Sequence, residues 1–221
     1  TMSEGSSQAH RGSAPAPVEV ELARVVPVIE RLTAAGVLVS VDTRKAAVMT
    51  AAVAAGARMI NDVSGLAFDP AAPAAAARSG AWVVLMHMRG VPATMNEAPA
   101  YRECALEVHD ELAARIAAAT TAGIARERLL LDPGFCFAKH EPHNLVLLRE
   151  LALLHGLGCP LLVGISRKGW TAGLERHPPA ERLPGSLAAA QWALDRGARI
   201  LRVHDVAATR QLVEAWETLT Q

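Results

Sequence analysis

Six short apolar runs in this chain each end in polar or charged side chains, and each is followed by a segment with helical spacing. They are Val37-Leu-Val-Ser-Val-Asp42, Arg58-Met-Ile-Asn-Asp-Val63, Trp82-Val-Val-Leu-Met-His87, Leu129-Leu-Leu-Asp132, Leu161-Leu-Val-Gly-Ile-Ser166 and Ile200-Leu-Arg-Val-His204. Apolar runs bounded by turn signals predict strands covered on both faces, which is the pattern of parallel sheets. Strands alternating with helices predict right-handed βαβ units. The strand-to-strand spacing is too irregular for a solenoid. It has the rhythm of a (β/α)₈ barrel or a doubly wound sheet. No Gly-x-Gly-x-x-Gly follows a strand and no Walker sequence is present, so the dinucleotide and P-loop readings fall away.

Helices are predicted over 18–35, 45–55, 71–78, 102–122, 143–157, 185–196 and 209–220. Pro27 is expected to kink or delay the first. The last is expected to pack through Leu212, Val213, Trp216 and Leu219. Residues 1–17 are rich in Ser, Gly, Ala and Pro without periodicity and read as a flexible arm or altered loop, with one domain over 18–221. Thr1-Met2 does not read as a native start.

Charge narrows the partners. The chain has 22 basic and 22 acidic residues, which argues against a nucleic-acid or anionic-membrane surface. Aromatics at 4% leave little for stacking platforms. The three cysteines, Cys104, Cys136 and Cys159, form no disulfide framework or Cys-x-x-Cys site, so a reducing cytoplasm is the expected compartment. No apolar run is long enough for a membrane span and no signal peptide is read.

The strand ends carry the candidate chemistry: Asp42, Asn61, Asp62, His87, Asp132, Ser166, Lys168, Arg202 and His204. In a parallel barrel they are expected to ring one mouth. Charges there need partners or a ligand, because desolvating them unpaired costs several kcal/mol. Asp42, Asn61 and Asp132 suit the edge of a planar, nitrogen-rich ring: a carboxylate matches paired N–H groups, and an amide offers donor and acceptor. Arg202 and His204, two apart on one strand, face one way and could clamp a phosphate. Any one of these positions is equally well explained by an Asp–Arg pair across the mouth; the whole set favours a ligand. Weaker signals go the other way. His140-x-x-His143 lacks a third ligand and reads as a solvated loop, and Cys136 reads as a packed thiol. Gly185-Ser186 reads as an ordinary N-cap at least as well as a phosphate cradle.

The motifs also resemble a known family. Val41-Asp-Thr-Arg-Lys45, Ile60-Asn-Asp-Val63, Leu85-Met-His-Met-Arg-Gly90 with Thr94-Met95 and Glu97-Ala-Pro99, Leu131-Asp-Pro-Gly-Phe135, Gly164-Ile-Ser-Arg-Lys168, Gly185-Ser-Leu187 and Arg202-Val-His-Asp205 stand in the order of the dihydropteroate synthases. The resemblance covers residue 18 to the C-terminus. It implies a TIM-type barrel that condenses a dihydropterin-methyl diphosphate with p-aminobenzoate and releases pyrophosphate, with Mg²⁺ as cofactor and a homodimer as the common assembly. By motif, Asp42, Asn61 and Asp132 are expected to hold the pterin with Lys168 closing over it. Asp42, Asp132 and Lys168 are the expected catalytic residues. Ser166 and Phe137 are expected beside the aminobenzoate, and Arg202 with His204 at the diphosphate.

The chain also departs from that family. The family's first two strands, with their Asn-Val-Thr-Pro-Asp-Ser-Phe and Gly-Glu-Ser-Thr-Arg-Pro-Gly loops, have no counterpart here beyond a scrambled Arg11-Gly-Ser-Ala-Pro15. The expected barrel is therefore N-terminally incomplete, about six of eight strands, without the metal-contacting Asn and with no metal ligand of its own. The family's Gly-Phe-Gly-Phe is Gly134-Phe-Cys-Phe137 here, which places a thiol by the aminobenzoate pocket. A pterin binder without turnover, or the pterin domain of a methyltransferase, are the alternatives. Lys168, Arg202 and His204 together speak against the second.

Overall fold

The computed structural model describes residues 16–90, 95, 100–171 and 177–220. Each apolar run forms a strand, most of them shorter than the run: β1 (Ser40–Asp42), β2 (Met59–Asp62), β3 (Trp82–Met86), β4 (Leu129–Asp132), β5 (Leu161–Val163) and β6 (Ala198–Leu201). They form one sheet in sequence order, every neighbouring pair parallel. The register sets Asp42 beside Asn61 and Met86 beside Asp132, so the polar strand ends stand in one row.

Among the described residues no ladder joins β6 to β1, and both are edge strands. This shortens the first run: Leu38 is 85% exposed and lies outside the ladder, because apolar residues on an open edge have no neighbour to pair with. β6 begins and ends earlier than its run, past a register shift at Leu161/Leu162. The Arg202 N–H still donates to the Val163 carbonyl at 2.9 Å before the chain turns away.

The crossovers are α1 (Val18–Ala34), α2 (Ala46–Ala54), α3 (Ala72–Ser79), α4 (Cys104–Thr121), α5 (Glu141–Arg149) and α6 (Leu183–Asp195), with α7 (Val206–Thr220) last. Pro27 does not interrupt α1; it sits on the exposed side, where the carbonyl it deprives of a donor can bind water. The helix expected over 143–157 begins at Glu141 and changes type after Arg149. Leu151, Leu154 and Leu157, all buried, lie three apart, the spacing that a 3₁₀ helix (Leu151–Leu157) stacks on one side. Leu219 does not pack: it is 84% exposed, and α7 is held by buried Thr209 and by Trp216 Nε1 donating to Asp195 Oδ1 at 2.7 Å.

Alternation along the strands sorts the core. Val83, Leu85, Leu129, Leu131, Leu161 and Val163 pack against the helices. Val84, Leu130 and Leu162, with Met59, Trp82 and Ile200, form a separate cluster on the inner, concave side. Most of the expected N-terminal arm, residues 1–15, and the Thr94 and 97–99 motif positions lie outside the described residues.

Candidate active site

The inner side of the sheet ends in an acidic and amide cluster facing one guanidinium. Asn61 Nδ2 donates to Asp42 Oδ2 at 2.9 Å. Arg202 Nη2 lies 3.2 Å from Asp132 Oδ2, close enough for an ion pair, but the atom accepts no well-directed hydrogen bond. Asn61 Oδ1 is likewise buried with no hydrogen-bond partner. Gly164 makes the arrangement possible, because a Cβ there would stand 2.7 Å from Arg202 Nη2. Burial raises the Asp42 carboxyl to about 6, against the pull of Arg202 and the Asn61 hydrogen bond, while Asp62 and Asp132 add to the rise.

The turn after β5 supplies the next group. Arg167 is left-handed (φ 58°) and acts as a clip: its N–H donates to Ser186 Oγ at 2.8 Å, and its guanidinium grips both oxygens of Asp205 at 2.9 and 2.5 Å. The clip turns Lys168 inward, where it is 8% exposed with Nζ 5.6 Å from the Phe137 ring centroid. Burial, with Arg202 nearby, lowers its pKa from the usual lysine value. Ser166 Oγ lies 3.1 Å from His204 Nδ1 and accepts the His204 N–H at 3.2 Å. Asp42, Asn61, Asp132, Arg202, Ser166, Lys168, His204 and Phe137 thus all stand at the C-terminal end of the sheet, with His204 exposed and the rest buried or half-buried. Gly185-Ser186 is neither cap nor anion cradle. A Cβ at Gly185 would stand 1.9 Å from the Thr171 carbonyl, and Ser186 donates to the Arg182 carbonyl at 2.7 Å, so the pair packs α6 against the turn.

Two of the expected mouth residues face the other way. Asp62 caps its own turn, accepting from the Ser64 N–H at 2.7 Å and hydroxyl at 2.6 Å. His87 is fully buried toward α4, between Glu111 Oε2 at 3.0 Å and Lys139 Nζ at 2.8 Å. Side chains one residue apart on a strand point to opposite faces, so Asn61 and Asp62 cannot share a site. Burial pushes His87 down to about 4, and its hydrogen bond to His87 helps hold Glu111 down to about 2, so the pair is a neutral imidazole on a carboxylate. Sequence reasoning missed Lys139, Glu111 and Arg115 altogether. The one readable signal was a lone cation in the apolar stretch Phe137-Ala138-Lys139.

The minor candidates resolve simply. His140 and His143 do not lie on a loop; they open α5, the His140 N–H donating to His143 Nδ1 at 3.2 Å. Cys136 is half-buried and accepts a hydrogen bond from Trp170 Nε1 at 3.2 Å. Among the described residues no group of three or more His, Cys, Asp or Glu side chains could hold a metal ion. The opposite end of the sheet has a cavity of about 630 Å³, lined mainly by apolar residues such as Leu38, Met59, Trp82, Leu130 and Ile200 and by none of Asp42, Asn61, Asp132, Lys168 or Arg202.

The family model described as "Pterin binding enzyme" matches residues 5–204. Dihydropteroate synthase of Escherichia coli (strain K12) is 47% identical over 212 residues, spanning 96% of this chain and 74% of the relative. The structure of the Xanthomonas albilineans dihydropteroate synthase in complex with 7,8-dihydropteroate is 50% identical and covers 92% of this chain and 75% of that one, with a TM-score of 0.86. The same enzyme with 4-aminobenzoic acid is 49% identical, covers 95% and 75%, and has a TM-score of 0.88. With six parallel strands in sequence order in one sheet, a family match over residues 5–204 and identity close to one residue in two, this chain belongs to the dihydropteroate synthase family of pterin binding enzymes.

Proposed function

We propose that this chain condenses 6-hydroxymethyl-7,8-dihydropterin diphosphate with p-aminobenzoate to give 7,8-dihydropteroate and pyrophosphate, a step of folate biosynthesis. The observation that carries this is the pair of unmade hydrogen bonds at the mouth. Asn61 and Asp132, 2% and 1% exposed, keep Oδ1 and Oδ2 without a hydrogen bond, the second with only the Arg202 ion pair at 3.2 Å. A buried acceptor left unpaired costs about 1–3 kcal/mol, so two in one recess call for a ligand with donors on its edge. An amino-pyrimidinone ring has that edge, and Asp42 completes the acceptor row.

Charge then divides the work. When the substrate's methylene C–O bond breaks, its electron pair leaves with the diphosphate and the methylene keeps a positive charge conjugated to the ring. Asp42 and Asp132 favour that cation, and Arg202 with His204 takes up the leaving anion. Lys168 closes the pterin recess, while Phe137 and Ser166 orient the aminobenzoate so that its amine nitrogen attacks the methylene carbon and then releases a proton. No protein nucleophile is required. Magnesium belongs to the reading as a companion of the diphosphate. A homodimer in the cytoplasm completes the proposal. It is in keeping with three free cysteines, and no helix among the described residues is long and apolar enough to cross a membrane.

A second reading, pterin binding without turnover, is favoured by one feature: among the described residues the outer edges of β1 and β6 carry no partner strand, where a closed barrel would continue. Aminobenzoate-dependent pyrophosphate release by the 221-residue chain, with the pterin diphosphate and Mg²⁺ supplied, separates the two. Release is the expected result. Saturable pterin binding with no release establishes the second reading, and the absence of both removes the pterin assignment.

A further inference from the structure

The loop over 133–139 brings Cys136 and Phe137 to the mouth, and its backbone is unusual. Gly134, Cys136 and Ala138 are all left-handed, at φ 70°, 69° and 51°. Non-glycine residues adopt that region at a cost of about 1–2 kcal/mol each, so something must hold the loop in place. Asn144 braces one side: its Oδ1 accepts the Cys136 N–H at 2.8 Å, and its Nδ2 donates to the carbonyls of Lys139 at 3.1 Å and His140 at 2.8 Å. Gly134 is pressed against the end of β3, where a Cβ would stand 1.9 Å from the His87 carbonyl.

Lys139 braces the inside. It is 3% exposed, and its Nζ lies 2.8 Å from His87 Nδ1, 3.0 Å from the Gly134 carbonyl and 3.1 Å from the Phe137 carbonyl. An ammonium has three donors, and here it meets three acceptors. His87 can accept at Nδ1 because its Nε2–H is committed to Glu111. A neutral amine has two donors and a lone pair, so it must leave one carbonyl unmatched or oppose its lone pair to that of the imidazole.

We propose that Lys139 is a positioning residue of this active site: its charged form holds the 133–139 loop so that Phe137 stands against Lys168 for the aromatic second substrate, and its neutral form releases that loop. The inference rests on the reading of Phe137 as an aminobenzoate contact. The groups facing Lys139 are His87 at the end of β3, Asp132 on β4, the Tyr101 ring at 5.9 Å, and Cys104, Glu111 and Arg115 on α4, with His143 of α5 behind. Burial brings the Lys139 ammonium down to about 7; Cys104, Asp132 and Glu111 oppose the fall and Arg115 adds to it. The release therefore falls within the working pH range: the loop is held below pH 7 and loosened above it.

The test combines amide hydrogen exchange across 133–139, corrected for intrinsic rates, with steady-state kinetics of the whole chain and of Lys139→Met. Loop protection in the unaltered chain is expected to fall between pH 6 and 8.5. KM for p-aminobenzoate should rise over the same interval. Lys139→Met should raise that KM about tenfold at pH 6 and flatten its pH profile, with the Kd for the pterin diphosphate within about twofold. Protection that does not change with pH overturns the proposal, and so does a Lys139→Met chain that loses both substrates in parallel. If the unaltered chain turns over no substrate, the functional reading fails, while the exchange profile still decides what Lys139 does to the loop. That profile also decides it if the variant does not fold.

Discussion

The two ends of this sheet are both open, and they are open in opposite ways. The C-terminal end is polar and tightly set: Asp42, Asn61, Asp132, Lys168 and Arg202 converge, and two buried acceptors remain unmade. The N-terminal end is an apolar cavity of about 630 Å³ in which Met59, Trp82, Leu130 and Ile200 face one another across an incomplete barrel. What marks the polar end is that Asn61 Oδ1 and Asp132 Oδ2, unlike the equally unmatched Asp62 Oδ2, face inward in the cluster with Asp42 and Arg202; a ligand with donors recovers the free energy such acceptors cost, whereas an apolar hollow only lacks packing.

The largest effect should come from breaking the polar end. Arg202→Ala leaves Asp132 buried without its counter-ion and removes the charge proposed to receive the diphosphate. Losing one group that stabilises developing negative charge costs about 2.7–4 kcal/mol of transition-state binding, so kcat/KM should drop by at least about a hundredfold in steady-state assays. A drop under fivefold would remove Arg202 from the site.

Asp42→Asn probes the strain at the same end. The folded protein holds the Asp42 proton up to about 6 against 3.8 for the free group, so between those values the folded state binds more protons than the unfolded one. Stability must therefore fall as pH rises from 3.8 to 6, and remain lower above it. Discounting for the solvent that still reaches the half-buried carboxyl, Asp42→Asn should gain about 1–3 kcal/mol at pH 7 in denaturant unfolding while weakening pterin binding. A variant that is less stable at pH 7 would contradict the burial account.

At the apolar end the signs reverse. Leu130→Ala should lose about 2–3 kcal/mol of stability by enlarging the hollow, yet change the substrate KM values less than threefold. If binding falls as far as stability does, the two ends are not independent. The smallest effect is expected at the loop. Cys136→Gly relieves a left-handed thiol residue and should add about 1 kcal/mol, read as a rise of a few degrees in Tm.

The polar and apolar residues of the C-terminal end were largely legible before any coordinates, because a strand's final residues can be read from where an apolar run stops. Asp42, Asn61, Asp132, Ser166, Lys168, Arg202 and His204 were all named on that ground. Asp62 and His87 were misplaced for a different reason: a run without strict alternation does not say which of two adjacent side chains faces inward. Asn61 and Asp62 differ only in parity, and the register of β2 against β1 and β3 settles it. Packing overrides local preference over 143–157 by imposing a three-residue spacing, and Pro27 does not delay the start of α1 because the hydrogen bond it removes falls at the surface.

By itself the sequence determined the strand–helix alternation, the parallel sheet and the row of polar strand ends, since these follow from local apolar periodicity and chain connectivity. Only the tertiary structure decided which polar groups meet. The Arg202–Asp132 contact across Gly164, the Arg167–Asp205 clip and the Lys139–His87–Glu111 chain join residues far apart in sequence. No local pattern encodes such pairs, because they arise where separate elements converge and burial leaves each charge a choice of very few partners.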